Sequence, residues 1–324
     1  MVSLLVCIEN LWHINHTVFP DFSKNMLPTI GWIGTGIMGR SMAMHLLKGG
    51  YTLNVFNRTE SKAADLVQSG AAWRASPHEV AEYSDIVFLM LGYPYEVRET
   101  VHEILENEGR TPSSLPCIIV DMTTSSPSLA VEIESMCRKR DVIALDAPVS
   151  GGDVGAKNAT LSIMMGGEEK TANDLMPIWN LLGKTIVYHG TAGSGQHAKM
   201  VNQTLIAGNM LGLCEALLYA HHAGLDMDRV LQSVSTGAAG SWSLANLAPR
   251  ILKNDFAPGF MIGHFLKDLR IVLEEARRMN LTLRGVALAE ELYAVAVKQG
   301  YAQDGTQGLY RLLDGNDRPA HRPF

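Results

Sequence analysis

Residues 29–33, Thr-Ile-Gly-Trp-Ile, form a short apolar run that enters Gly34-Thr35-Gly36-Ile37-Met38-Gly39 with no intervening loop. Behind the glycines, Met42, Leu46 and Leu47 recur at helical spacing as far as Lys48, where Gly49-Gly50 stops the helix. Few backbone geometries accept a strand, so tight a turn and a helix in immediate succession. The first glycine permits the turn, the second lets the backbone approach a pyrophosphate, and the third lets the helix lie close on the strand. The anion then sits at the positive end of the helix dipole. Leu53-Asn54-Val55-Phe56 supplies a second strand, so the unit reads as β-α-β with parallel strands and a dinucleotide at its turn.

The alternation continues along the chain. Residues 61–68 read as a helix ended by Gly70, and 85–91 as a buried strand halted by Gly92 and Pro94. Residues 117–121 and 142–146 are two further apolar strands with helical material between them. Past Thr191 the strand signal fades, and 196–223 reads as one long helix, with others near 228–235, 266–280 and 285–299. The expected fold is α/β: an N-terminal doubly wound Rossmann domain and an all-α C-terminal domain joined by a long helix. A length of 324 residues agrees with two domains. The boundaries fall at 1–28 for an extension or tail, 29–191 for the dinucleotide domain, 192–315 for the helical substrate and oligomerisation domain, and 316–324 for a second tail. Residues 1–8 are apolar but lack a basic flank and a cleavage site, and no Arg precedes Arg40, whereas Glu9 and Asp21 are acidic. That combination suits neither a secretory signal nor a mitochondrial presequence, and Met26 is a candidate initiator.

Composition removes other classes. Lys plus Arg number 27 against 33 Asp plus Glu, a net charge of −6, which leaves no basic face for nucleic acid. No apolar run is long enough to cross a bilayer. Cys7, Cys117, Cys137 and Cys214 are scattered, without a CxxC pair, as suits reduced thiols in the cytoplasm. His221 and His222 are adjacent and point apart on a helix, and no HExxH occurs, so no metal site is expected. His197 projects to a different face from Lys199 and reads as structural; the 16 Met read as core filling.

Where a carboxylate commonly grips the 2′-hydroxyl of NAD, the second strand ends on Asn57, followed by Arg58 and Thr59. A guanidinium flanked by hydrogen-bond donors suits a 2′-phosphate, which favours NADP and leaves NAD possible. Residues 146–152, Asp-Ala-Pro-Val-Ser-Gly-Gly, follow a strand, and the Ser150-Gly151-Gly152 turn offers a hydroxyl and unhindered N–H groups to a carboxylate. The long helix opens with Lys199, and either Asn202 or Gln203 lies one turn on along the same face. Lys267-Asp268 begins a later helix, and Trp242 follows Gly240-Ser241 as either a cap on a pocket or a core residue.

Together these motifs resemble the β-hydroxyacid dehydrogenase family, which includes 3-hydroxyisobutyrate dehydrogenases, tartronate semialdehyde reductases and glyoxylate/succinic semialdehyde reductases. The likeness runs from Ile30 to about Leu313 and rests on GWIGTGIMGRSM, DAPVSGGDVGAKNATLSI, STGAAGSWS and the stretch around Lys199. The resemblance implies that Lys199 is catalytic, that Ser150, Gly151 and Gly152 hold the substrate carboxylate, and that Lys267 contacts the cofactor with Asp268 beside it. It also implies that Leu91, Gly92 and Thr124 line the nicotinamide side. The family's amide four residues past the lysine falls on Gln203, with Asn202 before it. Glu96 stands where some members carry Asn near the cofactor, so that contact is not carried to it.

The chemistry implied is hydride transfer. The carbonyl oxygen becomes an incipient alkoxide, and a nearby ammonium of lowered pKa both stabilises it and supplies the proton. The expected activity is thus an NADP(H)-dependent interconversion of a small semialdehyde or 2-oxo acid and its hydroxy acid. The rival is an NAD-dependent 3-hydroxyisobutyrate dehydrogenase of valine breakdown. A non-catalytic or chromatin-associated relative is disfavoured by Lys199 and by the lack of a basic arm, and an imine reductase by Lys199. The expected partners are a small carboxylate-bearing substrate and further copies of the chain, as homodimer or homotetramer, with no nucleic acid or membrane.

Overall fold

A computed structural model describes residues 27–106 and 115–315. The expectations about residues 1–26, with Cys7 and Met26, and about the 316–324 tail lie outside them.

Six strands form a parallel sheet in the order β3-β2-β1-β4-β5-β6. They are β1 (Ile30–Ile33), β2 (Leu53–Phe56), β3 (Ala72–Trp73), β4 (Ile86–Leu89), β5 (Ile118–Asp121) and β6 (Ile143–Asp146). Strands β1, β4 and β5 are buried along their length, as a sheet covered on both faces requires. One face packs Trp32, Phe88 and Trp179 with α1 (Ile37–Lys48) and its neighbours. The other packs Ile33, Val87 and Leu89 under α4 (Pro94–Leu105) and α5 (Pro127–Arg138). Between these helices in the chain lie α2 (Ala64–Gln68) and α3 (Pro77–Glu82).

The sheet extends beyond the strands expected. Strand β8 (Leu161–Gly167) pairs antiparallel with β6 and with β7 (Val149–Ser150), and β9 (Gly183–Gly190) pairs parallel with β8. The short helices α6 (Gly152–Lys157), α7 (Glu169–Asp174) and α8 (Met176–Leu182) connect them. The strand expected over 85–91 stops at Leu89, because the Leu91 N–H turns aside to the Thr123 hydroxyl, 2.9 Å away. Residues 60–63 form a 3₁₀ turn ahead of α2 rather than part of one longer helix.

From Ser194 the chain is helical: α9 (Ser194–His222), α10 (Met227–Val234), α11 (Trp242–Leu252), α12 (Ile262–Arg278), α13 (Arg284–Lys298) and α14 (Leu309–Asp314). At 29 residues, α9 is about 44 Å long at 1.5 Å per residue. It buries apolar residues along its length against the helices packed on it, while one side stays in solvent. Met210, Leu213, Leu217, Phe265, Leu269 and Tyr293 form the second core around it. Among the described residues no helix is long and apolar enough to cross a membrane.

Candidate active site

The glycine turn leaves β1 as the sequence predicts. Gly34 has φ +100°, and a side chain there would run into the Met90 carbonyl. A side chain on Gly39 would strike the Gly34 carbonyl, so that glycine is what lets α1 lie against β1. At Gly36 a β-carbon would meet nothing within 4 Å. Helix α1 begins there without a side-chain cap, so its first N–H groups are open. The Thr35 hydroxyl beside them is buried and, among the described residues, without a partner. An open cradle, uncapped N–H groups and an orphan hydroxyl fit the pyrophosphate of a dinucleotide. Ile37 is exposed at the helix mouth, and Met38 turns toward the neighbouring cavity.

Asn57 is engaged at the glycine turn itself. Its Oδ1 accepts the Thr35 N–H at 3.0 Å and its Nδ2 donates to the Thr59 carbonyl at 2.9 Å. The side chain therefore props the glycine turn and ties it to the Thr59 carbonyl. Arg58 reaches outward, its side chain 85 % exposed, and meets Glu96 with Nη1 3.1 Å from Oε1. The other Glu96 oxygen accepts the N–H groups of Gly92 and Tyr93. Glu96 thus shapes the Leu91-Gly92 corner, a role its place in the first turn of α4 could have signalled, whereas its pairing with Arg58, 38 residues away, leaves no local pattern.

The start of α9 is bolted to the sheet. Asp146, at the end of β6, accepts the N–H groups of Gly193 and Gln196, each at 2.8 Å. The Gln196 amide spans to the Thr123 carbonyl at 2.7 Å and the Ser125 N–H at 3.0 Å. Burial raises the Asp146 pKa, and the N–H groups aimed at it oppose that rise. Asp121, buried at the end of β5, is pushed to about 7 chiefly by loss of water, against the hydrogen bonds from Thr123. With the helix so anchored, Lys199 enters the interior one turn later, 6 % exposed. Among the described residues it has no hydrogen-bond or ion-pair partner. Burial lowers its pKa to about 8; Asp268 pulls the other way and Lys267 adds to the lowering.

The two candidate amides are linked in series. The Ser150 hydroxyl donates to Asn202 Oδ1 at 3.1 Å, Asn202 Nδ2 to Gln203 Oε1 at 2.7 Å, and Gln203 Nε2 to Asp268 Oδ2 at 2.6 Å. Asp268 Oδ1 lies 3.0 Å from Lys267 Nζ, which donates to the Thr124 carbonyl at 2.6 Å. A continuous polar chain therefore runs from the serine-glycine turn to the corner beside Leu91. Gly151 and Gly152 have φ of +130° and +64°, conformations that L side chains rarely adopt.

These groups line a cavity of about 560 Å³ between the sheet and the helices. Lys199, Asn202, Gln203, Ser150, Gly151, Gly152 and Thr124 all face it, with Met38 and Met90 on the side of the glycine turn. Trp242 stands at its rim, 66 % exposed, and so borders the opening without filling the core. Asn246 and Arg250, at four-residue intervals from Trp242 on α11, also face it. That four-residue spacing is legible in the sequence itself. A second cavity of about 490 Å³, lined by Tyr93, His264, Lys267 and Arg270 among others, lies on the far side of the Lys267–Thr124 bond.

A dinucleotide cradle on a parallel sheet, opening toward a cavity with one unpaired buried ammonium, defines the class: a nicotinamide-dependent oxidoreductase. Family comparisons refine it. Residues 29–190 match the NAD-binding domain of 6-phosphogluconate dehydrogenase, and 193–313 the NAD-binding domain of NADP-dependent 3-hydroxyisobutyrate dehydrogenase. The chain is 52 % identical to the probable 3-hydroxyisobutyrate dehydrogenase-like 1, mitochondrial, of Arabidopsis thaliana, over 92 % of this chain and 89 % of that one. It is 38 % identical to 2-hydroxy-3-oxopropionate reductase of Escherichia coli, over 88 % and 97 %. Among solved structures, Mycobacterium tuberculosis 3-hydroxyisobutyrate dehydrogenase with L-serine superposes with a TM-score of 0.80 at 27 % identity, covering 89 % and 99 %. The chain belongs to the 3-hydroxyisobutyrate dehydrogenase-like branch of the NAD(P)-dependent β-hydroxyacid dehydrogenases.

Proposed function

We propose that the enzyme reduces a small semialdehyde or 2-oxo acid to its hydroxy acid with NADPH, Lys199 acting as the proton donor. The bound dinucleotide supplies the hydride. The glycine turn and the open end of α1 hold its pyrophosphate, and Arg58 its 2′-phosphate. Ser150, Gly151 and Gly152 grip the substrate carboxylate, which turns the carbonyl toward Lys199. As negative charge grows on the carbonyl oxygen, the ammonium stabilises it and passes over its proton; in reverse, the neutral amine takes the alcohol proton. Asn202, Gln203 and Asp268 keep the serine and Lys267 in register without touching the reacting carbon. The single observation that carries this reading is the buried, unpartnered Lys199 with its pKa lowered to about 8, facing the same cavity as the serine-glycine turn.

Support for a semialdehyde comes from the likeness to 2-hydroxy-3-oxopropionate reductase, and support for NADP from the exposed Arg58 and the absence of a carboxylate at position 57. The division into a dinucleotide domain (29–191) and a helical domain (192–315), and assembly as a homodimer or homotetramer, belong to the same proposal. So does a cytoplasmic setting, supported by free thiols at Cys117, Cys137 and Cys214. One observation favours the second reading, NAD-dependent oxidation of 3-hydroxyisobutyrate: Arg58 is already paired with Glu96. Initial rates of NADPH and NADH oxidation with glyoxylate and succinic semialdehyde, for wild type and Lys199→Ala, test both. Clear NADPH preference with a loss of about a hundredfold in the variant is the expected result. NADH preference, or no turnover of either aldehyde, transfers the assignment to the oxidative enzyme. A variant that keeps its rate removes Lys199 from the mechanism.

A further inference from the structure

The pair between Arg58 and Glu96 joins two very unlike partners. Glu96 is fixed: one oxygen is bound by the Gly92 and Tyr93 N–H groups, and its side chain is only 16 % exposed. Arg58 is free to swing apart from this one contact, with 85 % of its side chain in solvent. The two sit on opposite sides of the glycine turn. Arg58 follows β2 and Glu96 opens α4 after β4, while β1, which feeds the turn, lies between β2 and β4 in the sheet. The ion pair therefore bridges the mouth of the dinucleotide cradle.

We propose that Glu96 sets the dinucleotide selectivity of this enzyme by competing with a 2′-phosphate for Arg58. The inference rests on the dinucleotide reading above. To engage a 2′-phosphate, the guanidinium must exchange one anion for another, and the retained carboxylate then repels that phosphate across a short gap. A 2′-hydroxyl needs neither the exchange nor the guanidinium. Glu96 thus weakens binding of 2′-phosphorylated dinucleotides selectively. Exposed pairs are weak, so the carboxylate tempers the preference of Arg58 and does not abolish it.

Direct binding tests this without turnover. Dissociation constants for NADPH, NADH and adenosine 2′,5′-bisphosphate are measured by titration calorimetry on wild type, Glu96→Gln, Arg58→Met and the double variant. Glutamine keeps an oxygen for the Gly92 and Tyr93 N–H groups and removes only the charge, and a thermal melt verifies that the variants fold. The expected result is tightening of NADPH and of the bisphosphate by about threefold to tenfold in Glu96→Gln, the scale of one weak ion pair, with NADH within about twofold of wild type. In the Arg58→Met background the gain shrinks, and in high salt it fades. Unchanged NADPH affinity, or equal tightening of NADH, overturns the proposal and leaves Glu96 as a brace for the Leu91-Gly92 corner. If wild type binds neither dinucleotide, the functional reading beneath it falls as well.

Discussion

At the scale of single residues, the proposed chemistry rests on an ammonium that the fold keeps dry and, among the described residues, unpaired. Lys199 loses water on entering the interior, so its charged form is disfavoured and its pKa drops from 10.5 to about 8. The sign of the pH dependence follows. Reduction needs the protonated form, so kcat/KM for aldehyde reduction is expected to be level below pH about 8 and to fall above it. Oxidation of the hydroxy acid needs the neutral amine and is expected to rise through the same pH. Initial rates in both directions between pH 6 and 10 check this, and two profiles moving in the same direction would sink the assignment. Glu96 shows the opposite economy, since one side chain shapes a backbone corner with one oxygen and holds Arg58 with the other.

At the scale of elements, the decisive joint is the entry to α9. A helix this long would place Lys199 poorly if its first turn were free to fray, because its opening N–H groups have no intrahelical partners. Asp146 supplies acceptors for two of them from the end of β6, and Gln196 ties the same turn to the segment after β5. Asp146→Ala leaves buried N–H groups without partners, at about 1–3 kcal/mol each. We expect a lower thermal midpoint and a reduced kcat, read by calorimetry and by steady-state rates. An Asp146→Ala protein with unchanged melting and turnover would show that the sheet merely abuts the helix.

Across the whole molecule, α9 serves three surfaces at once. One side packs in the helical core, a second carries Lys199, Asn202 and Gln203 into the cavity, and a third stays in solvent. That third side includes Val201 (63 % exposed), Leu205 (64 %) and Tyr219 (77 %), with Gly208 and Gly212 between them where an added β-carbon would meet nothing. That side is largely apolar, with glycines at its middle and Glu215 as its one carboxylate, and it suits close approach of the same helix from a second copy. Light scattering should give at least a dimer mass, and Leu205→Glu should shift it toward monomer. A wild-type monomer at micromolar concentration would contradict this assembly. The two halves of one chain also meet at the Lys267–Thr124 bond, so the cavity depends on their relative placement.

Much of this was legible in the residues themselves. Glycines at 34, 36 and 39 between a strand and a helix admit few backbones, and apolar runs of strand length alternating with helical spacing imply a parallel sheet. Such signals are local: each rests on a few consecutive residues, so the chain alone determined the glycine turn, the parallel strands and the run of helices after Thr191. Contacts between distant segments were left to the tertiary structure. Strand β8 joins β6 antiparallel only because residues 151–160, between β7 and β8, reverse the chain, and α11 faces the cavity only because it packs on α9. The Thr35 N–H meets Asn57 across the turn, and Asn202 and Gln203 are linked to each other and to Ser150 and Asp268, which approach from two other elements. Residue spacing specifies which face a side chain occupies; what meets that face, and how dry it becomes, is decided by packing.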